Sequence, residues 1–177
     1  MTSVMAKNRI KHRFDKWDAD GNGLLERSDM EREAAEIAHA FGKGPSSPEG
    51  ETITAAYRGL YDLLAGHAGA TDGAITEDQF RQVAEDLIFE QGEAAFNRAL
   101  TPLVEGIIAL CDKNADGRIN RDEFQNWLSV FNHTTADADE AFDQIDRNSN
   151  GELTTDELLA AVRDYHFGKL NVELIAI

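Results

Sequence analysis

The chain is poor in several features that would otherwise narrow its function, and each absence excludes something. It has one cysteine, Cys111, so no disulfide can form within it. That residue falls on an apolar helix face and reads as a small buried hydrophobe rather than a reactive thiol. Basic residues are scarce: 17 Lys and Arg against 33 Asp and Glu leave a formal charge of −16, which argues against nucleic acid or an anionic membrane as partner. No segment approaches the roughly 18 apolar residues of a membrane span. The first residues lack the apolar core of a signal peptide, and Thr2 excludes N-myristoylation. A cytoplasmic location is the expectation. The histidines, His12, His39, His67, His133 and His166, have neither zinc-ligand spacing nor a nucleophile beside them. They read as surface or helix-end residues, and no enzyme site emerges.

What the chain does have is acid in a pattern. Asp112-Lys-Asn114-Ala-Asp116-Gly117-Arg118-Ile119-Asn120-Arg-Asp122-Glu123 carries side-chain oxygens at the first, third, fifth and ninth places and a glutamate at the twelfth. A cation the size of Ca²⁺ takes six to eight oxygens at about 2.3–2.6 Å. Asp112, Asn114 and Asp116 can each turn one oxygen inward, and Gly117 permits the positive φ at which the chain reverses. The Arg118 carbonyl then faces the ion, Asn120 can hold a bridging water, and Glu123 closes the far side with both oxygens. This is the spacing of an EF-hand loop. Val104, Ile107, Ile108 and Cys111 before it, and Phe124, Trp127, Leu128 and Phe131 after it, fall on single helix faces.

The pattern repeats. Asp146, Asn148, Asn150, Glu152 and Glu157 hold the ligand places of one copy, with Gly151 at the turn. Asp18, Asp20, Asn22, Leu24 and Asp29 hold those of another, with Gly23 at the turn; Leu24, like Arg118 and Glu152, would contribute its carbonyl. A further copy, from Ala68 to Gln79, keeps Gly73 and the apolar Ile75 but has Ala68, Ala70 and Gln79 at the first, third and twelfth places. Asp72 alone offers a carboxylate there, too little charge to strip water from a divalent ion. Three Ca²⁺ per chain are therefore expected. The first loop is the one suited to Mg²⁺, because Asp29 replaces a bidentate glutamate and Mg²⁺ wants compact octahedral ligands.

The fold class is expected to be all-α: four helix-loop-helix units in two paired lobes, packed into one compact body. EF-hands pair through a short β-bridge at the eighth place, which sets Leu25 against Ile75 and Ile119 against Leu153. The lobes are expected at residues 1–91 and 92–177, with Gln91-Gly92 between them and an apolar tail from Leu170 to Ile177. The first helix is predicted from about Lys7 to Trp17. Phe41-Gly-Lys-Gly-Pro-Ser-Ser-Pro-Glu-Gly is the clearest break, and Ser47 before Pro48 reads as an N-cap. Thr101-Pro102 predicts an interruption of the helix that follows Gly92. Thr76…Gln79 and Thr154…Glu157 have capping-box spacing, a weaker signal in an acidic loop, where the twelfth residue must aim at the metal.

Arg13-Phe14-Asp15-Lys16-Trp17-Asp18, Asp20-Gly-Asn-Gly23, Leu87-Ile-Phe-Glu-Gln-Gly-Glu93, Cys111-Asp-Lys-Asn-Ala-Asp-Gly117 and Val162-Arg-Asp-Tyr-His-Phe-Gly168 resemble the sarcoplasmic calcium-binding proteins and their bacterial relatives. The resemblance runs the length of the chain. It implies a compact helical calcium buffer with its lobes packed together, three occupied sites and no catalysis. It also implies that Asp29 is tolerated as a closing ligand, moving inward or binding through one oxygen. The competing reading is a calcium sensor that opens a flexible apolar groove to a target. Sensor grooves are rich in methionine, and this chain has only Met1, Met5 and Met30. Phe89, Phe96, Phe131, Phe142, Phe167 and Trp127 are stiffer and suit a permanent core. The tail could fill a groove from inside. The buffer reading is favoured, a monomer is expected, and no protein target is implied.

Overall fold

The computed structural model describes residues 3–130 and 133–174. Phe131, Asn132 and the end of the tail, residues 175–177, lie outside the described residues. Helix α1 (Val4–Trp17) begins one turn earlier than the apolar spacing predicts, because Ser3 caps it by accepting the Ala6 amide. It leads into loop one, strand β1 (Leu24–Glu26) and helix α2 (Arg27–Ala40). After the Gly/Pro break, Ser47 caps α3 (Pro48–Ala68) with proline in its first turn. Loop two, β2 (Ala74–Thr76) and α4 (Glu77–Glu85) follow, and α4 widens into a π turn over Asp86–Glu90.

Gly92, at φ 87°, separates that turn from α5 (Glu93–Cys111). Loop three, β3 (Ile119–Asn120) and α6 (Arg121–Val130) come next, then α7 (Thr135–Ile145), loop four, β4 (Glu152–Leu153) and α8 (Thr155–His166). The strands make two antiparallel two-residue or three-residue bridges, β1 with β2 and β3 with β4. Leu25 faces Ile75 and Ile119 faces Leu153, the register expected from the eighth loop place, and all four side chains are fully buried.

One expectation about α5 fails. The helix is not interrupted at Thr101-Pro102; Pro102 lies inside it. Thr101 Oγ1 donates to the Asn97 carbonyl at 2.6 Å, and burial of Phe96, Leu103, Val104, Ile107 and Cys111 outweighs the lost backbone bond. By length and composition α5 could also cross a membrane, with a mean hydropathy of 1.3. It is a core helix instead, packed between α3 and α8, and its apolar character serves that burial. One continuous hydrophobic core runs from Ile10 and Phe14 through Phe96 to Phe142 and Leu174.

Candidate metal centres

The three acidic loops share one hydrogen-bond scaffold. Their first residue receives two backbone amides: Asp18 from Asn22 and Gly23 at 3.1 and 2.9 Å, Asp112 from Asp116 and Gly117 at 3.3 and 2.8 Å, Asp146 from Asn150 and Gly151 at 3.2 and 2.9 Å. The third residue closes an Asx turn on the fifth amide, from Asp20 at 3.1 Å, Asn114 at 3.3 Å and Asn148 at 3.1 Å. The fifth accepts the seventh amide: Asn22 from Leu24, Asp116 from Arg118, Asn150 from Glu152. To wind this tightly the chain enters the left-handed region at the fourth place in every acidic loop, at Gly21, Ala115 and Ser149 (φ 68°, 58° and 56°).

The twelfth residue is anchored twice over. Asp29, Glu123 and Glu157 each accept the ninth amide, from Glu26, Asn120 and Thr154 at 2.9, 2.9 and 3.0 Å. Capping boxes thus form on the outgoing helices of loops one and four, so the capping signal holds in acidic loops too. Glu123 also spans its loop to accept the Lys113 amide at 2.8 Å. Asn120, at the ninth place, caps the outgoing helix as its position suggests: its side chain accepts the Glu123 amide at 3.0 Å and starts α6. Arg118 and Glu152 turn their side chains outward and pair with each other at 2.8 Å across the bridge.

Loop one concentrates the most charge. Asp18, Asp20 and Asp29 each bring a carboxylate oxygen within 4.8 Å of the others, the one such convergence of three acidic or imidazole groups among the described residues. Asp29 is 2% exposed, and burial raises its pKa against the lowering effect of the Glu26 amide. Arg32 compensates part of the charge at 2.6 Å. An all-oxygen donor set of this kind fits a hard divalent cation such as Ca²⁺ or Mg²⁺ and suits soft metals poorly.

Loop two is built differently. Helix α3 continues through Ala68 and ends on Gly69 in the left-handed conformation (φ 65°). Asp72 accepts the Ala74 amide at 3.4 Å. The Tyr61 hydroxyl donates to the Gly73 carbonyl. Gln79 accepts the Thr76 amide at 2.9 Å and reaches back toward the Ala68 carbonyl at 3.5 Å, closing the loop with a neutral side chain.

Comparison with known proteins agrees with this architecture. Residues 137–168 match an EF-hand domain model and residues 109–129 an EF hand model. The chain is 57% identical over 176 residues to calerythrin from Saccharopolyspora erythraea, covering 99% of both. It belongs to the calerythrin family. The wider kinship reaches the sarcoplasmic calcium-binding protein beta chain of a Penaeus species, 28% identical across 67% of this chain and 63% of that protein. A Streptomyces coelicolor calcium-binding protein, described in connection with prokaryotic calcium-mediated regulation, superposes with a TM-score of 0.72 at 25% identity, covering 91% of this chain and 97% of that one. As a calerythrin-type EF-hand protein this chain binds calcium, and the family is not enzymatic.

Some functional residues were not visible in the sequence. His166 ends α8 as expected and is half-buried: burial, with Arg13 and Arg9 nearby, lowers its pKa to about 3. Glu33, on the inner face of α2, is raised to about 7, chiefly by burial. Cys111 is buried and its thiol pushed up, as a structural cysteine should be. Phe167 is the exception among the aromatics assigned to the core, at 46% exposed, and Phe89 is half-buried beside it.

Proposed function

We propose that this protein is a monomeric calcium buffer or carrier with three sites, which keeps its apolar surface covered when loaded. Asp18, Asp20, Asn22, the Leu24 carbonyl and Asp29 would hold one ion. Asp112, Asn114, Asp116, the Arg118 carbonyl and Glu123 would hold a second, and Asp146, Asn148, Asn150, the Glu152 carbonyl and Glu157 a third. Loop one is the site most open to Mg²⁺. Residues 1–91 and 92–177 are read as the two halves, each stabilised by its β-bridge.

The observation that favours a buffer is the tail. Leu170 and Leu174 are 4% and 2% exposed, and the Trp127 indole donates to the Leu174 carbonyl at 3.0 Å. Glu173 pairs with Arg13 of α1 and accepts from Tyr165 at 3.4 Å. The surface that a sensor would offer to a target is covered from within, and α1 is tied to it. The regulatory context of the Streptomyces coelicolor relative keeps the sensor as the second reading. A hydrophobic dye and a pull-down, each run with calcium and with chelator, separate the two. A buffer binds dye most when chelated and retains no partner on loading. Dye binding that rises with calcium, together with a calcium-dependent partner, overturns the proposal.

A further inference from the structure

Asn22 and Asn150 are the two asparagines of the chain that precede a glycine. Each stands at the fifth place of an acidic loop, and Asn22, Gly23, Asn150 and Gly151 are all exposed. In such a pair the backbone can attack the asparagine's own side chain, because the following residue has no Cβ to obstruct the approach. The glycine nitrogen, once hydroxide has taken its proton, bonds to the side-chain carbonyl carbon. The bond from that carbon to Nδ2 breaks, and the nitrogen takes up a proton and leaves as ammonia. Water then opens the resulting five-membered imide at one carbonyl or the other, giving aspartate or isoaspartate.

In loop four, hydrogen bonds occupy both reacting groups. The Gly151 amide donates to Asp146 Oδ2 at 2.9 Å, and Asn150 Oδ1 accepts the Glu152 amide at 3.0 Å. Both bonds must open before the Gly151 nitrogen can reach the side chain, and Asp146 and Asn150 are both read as calcium ligands. A bound ion therefore holds the pair closed, whereas an empty exposed loop opens locally with ease. Loop one guards its pair better. Asn22 Oδ1 accepts the Leu24 amide at 2.9 Å, and Asn22 Nδ2 donates to Asp20 at 3.3 Å and to Glu26 at 3.2 Å. Asn150 Nδ2 has no hydrogen-bond partner among the described residues, so a single bond, from Glu152, holds that side chain. Loop three shows what the aspartate product would do, since Asp116 holds the same place and accepts the Arg118 amide at 2.9 Å. An aspartate there keeps the turn and adds a carboxylate. Isoaspartate inserts one more carbon into the backbone ahead of the Glu152 carbonyl, which puts the later ligands out of register.

We propose that Asn150-Gly151 is a deamidation site gated by calcium, so that loop four changes irreversibly in proportion to the time it spends empty. This rests on the reading of loop four as a calcium site. The test holds the full chain in warm, mildly alkaline buffer with chelator or with calcium, and follows each asparagine by peptide mapping and mass spectrometry. With chelator, Asn150 should convert first, ahead of Asn22 and of its neighbour Asn148, which precedes a serine. Calcium about 100-fold above the dissociation constant leaves about one loop in a hundred empty, so conversion at Asn150 should slow about 100-fold. Glu157→Gln should remove that protection at Asn150 and leave it at Asn22. The isoaspartyl protein, once separated, should have lost the loop four site in a calcium titration, whereas Asn150→Asp should keep it and bind more tightly there, having gained a ligand charge. An Asn150 that stays intact in chelator, or converts no faster than Asn148, overturns the proposal. Equal conversion with and without calcium also overturns it. A titration that fills loop four then places the failure in the gating, and one that leaves loop four empty places it in the three-site reading.

Discussion

Loop two and loop four are the same motif in one half and different objects in the other. From the sixth place onward they coincide. Gly73 and Gly151 sit at φ 82° and 81°, Ile75 and Leu153 are fully buried in their bridges, and Thr76 and Thr154 build capping boxes with the twelfth residue. Before the sixth place they part, apart from the seventh amide donated to the fifth side chain, Asp72 or Asn150. Loop four leaves its helix at Asp146 and turns left-handed at Ser149; loop two leaves on left-handed Gly69 and has no such turn at Thr71. The second half of an EF-hand loop thus serves the fold as well as the ion, through bridge and helix cap, while the first half serves the ion alone. A loop that loses its ligands keeps the half its neighbour packs against, because Leu25 would otherwise lose Ile75.

The largest test of this division is ligand removal. Glu123→Gln and Glu157→Gln are each expected to abolish one site in a calorimetric titration, taking the stoichiometry from three to two. At calcium about 100-fold above the dissociation constant, each lost site costs about 2.7 kcal/mol of stability. Gln79→Glu alone should add no site. Ala68→Asp, Ala70→Asp and Gln79→Glu together should add a fourth, since Gly69 can leave the left-handed region freely. A stoichiometry that stays at three with all four acidic first halves restored would show that the backbone of α3, and not the missing charge, silences loop two.

The helix leaving loop one carries an asymmetry of its own. Glu33 is 5% exposed, with one carboxylate oxygen unpaired, and its pKa is raised from 4.5 to about 7. Arg13, Lys16 and Arg32 oppose the shift and Glu36 adds to it. An acid raised on folding favours the folded state below its unfolded pKa, and that contribution is lost as pH rises through the folded value. The penalty therefore grows between about pH 4.5 and 7 and is complete above that, amounting to about 3 kcal/mol. Glu33→Gln should stabilise the chelated protein by up to that amount at pH 8 and by almost nothing at pH 4, measured by urea unfolding. A gain independent of pH would assign the effect to packing.

Most of the fold was legible because its signals are local. Register followed from an apolar eighth residue, caps from Ser47, Thr76 and Thr154, and the start of α5 from Gly92. What failed depends on contacts distant in sequence. Pro102 suggests an interrupted helix to any local reading, yet α3 and α8 hold α5 together on both sides. His166 looks like a surface residue, yet it is half-buried near Arg9 and Arg13 of α1, and Glu33 looks like an ordinary exposed acid on a helix. Leu170 and Leu174 were legible as an apolar tail able to fill a groove from inside, but not that Trp127 would bond the Leu174 carbonyl.

A smaller effect is expected at Asp29. Its shorter side chain reaches the loop from a buried position, held by the Glu26 amide and Arg32. Asp29→Glu should shift loop one toward Ca²⁺ over Mg²⁺, because a bidentate ligand suits the larger, more flexible coordination shell. Competition titrations read the ratio directly, and an unchanged ratio would remove Asp29 as the source of Mg²⁺ tolerance.

The smallest expected effect is the sharpest, because it should change sign between loops. Ala115 and Ser149 hold φ of 58° and 56° at the fourth place, where loop one has Gly21 at 68°. A side chain in the left-handed region costs about 1–2 kcal/mol, and glycine escapes that cost while losing about 0.5–1 kcal/mol through the freer unfolded chain. Ala115→Gly and Ser149→Gly should therefore stabilise the chelated protein by a net gain of at most about 1.5 kcal/mol. Thr71 holds the same place in loop two but lies outside the left-handed region. Thr71→Gly gains nothing from relief and keeps the entropic loss, so it should destabilise by about 0.5–1 kcal/mol. Denaturant unfolding resolves differences of this size when the three variants are run side by side. Opposite signs would confirm that the first half of loop two has abandoned the ion-binding turn. A gain in all three would mean that loop two still visits that turn in solution, and that only its missing carboxylates separate it from its neighbours.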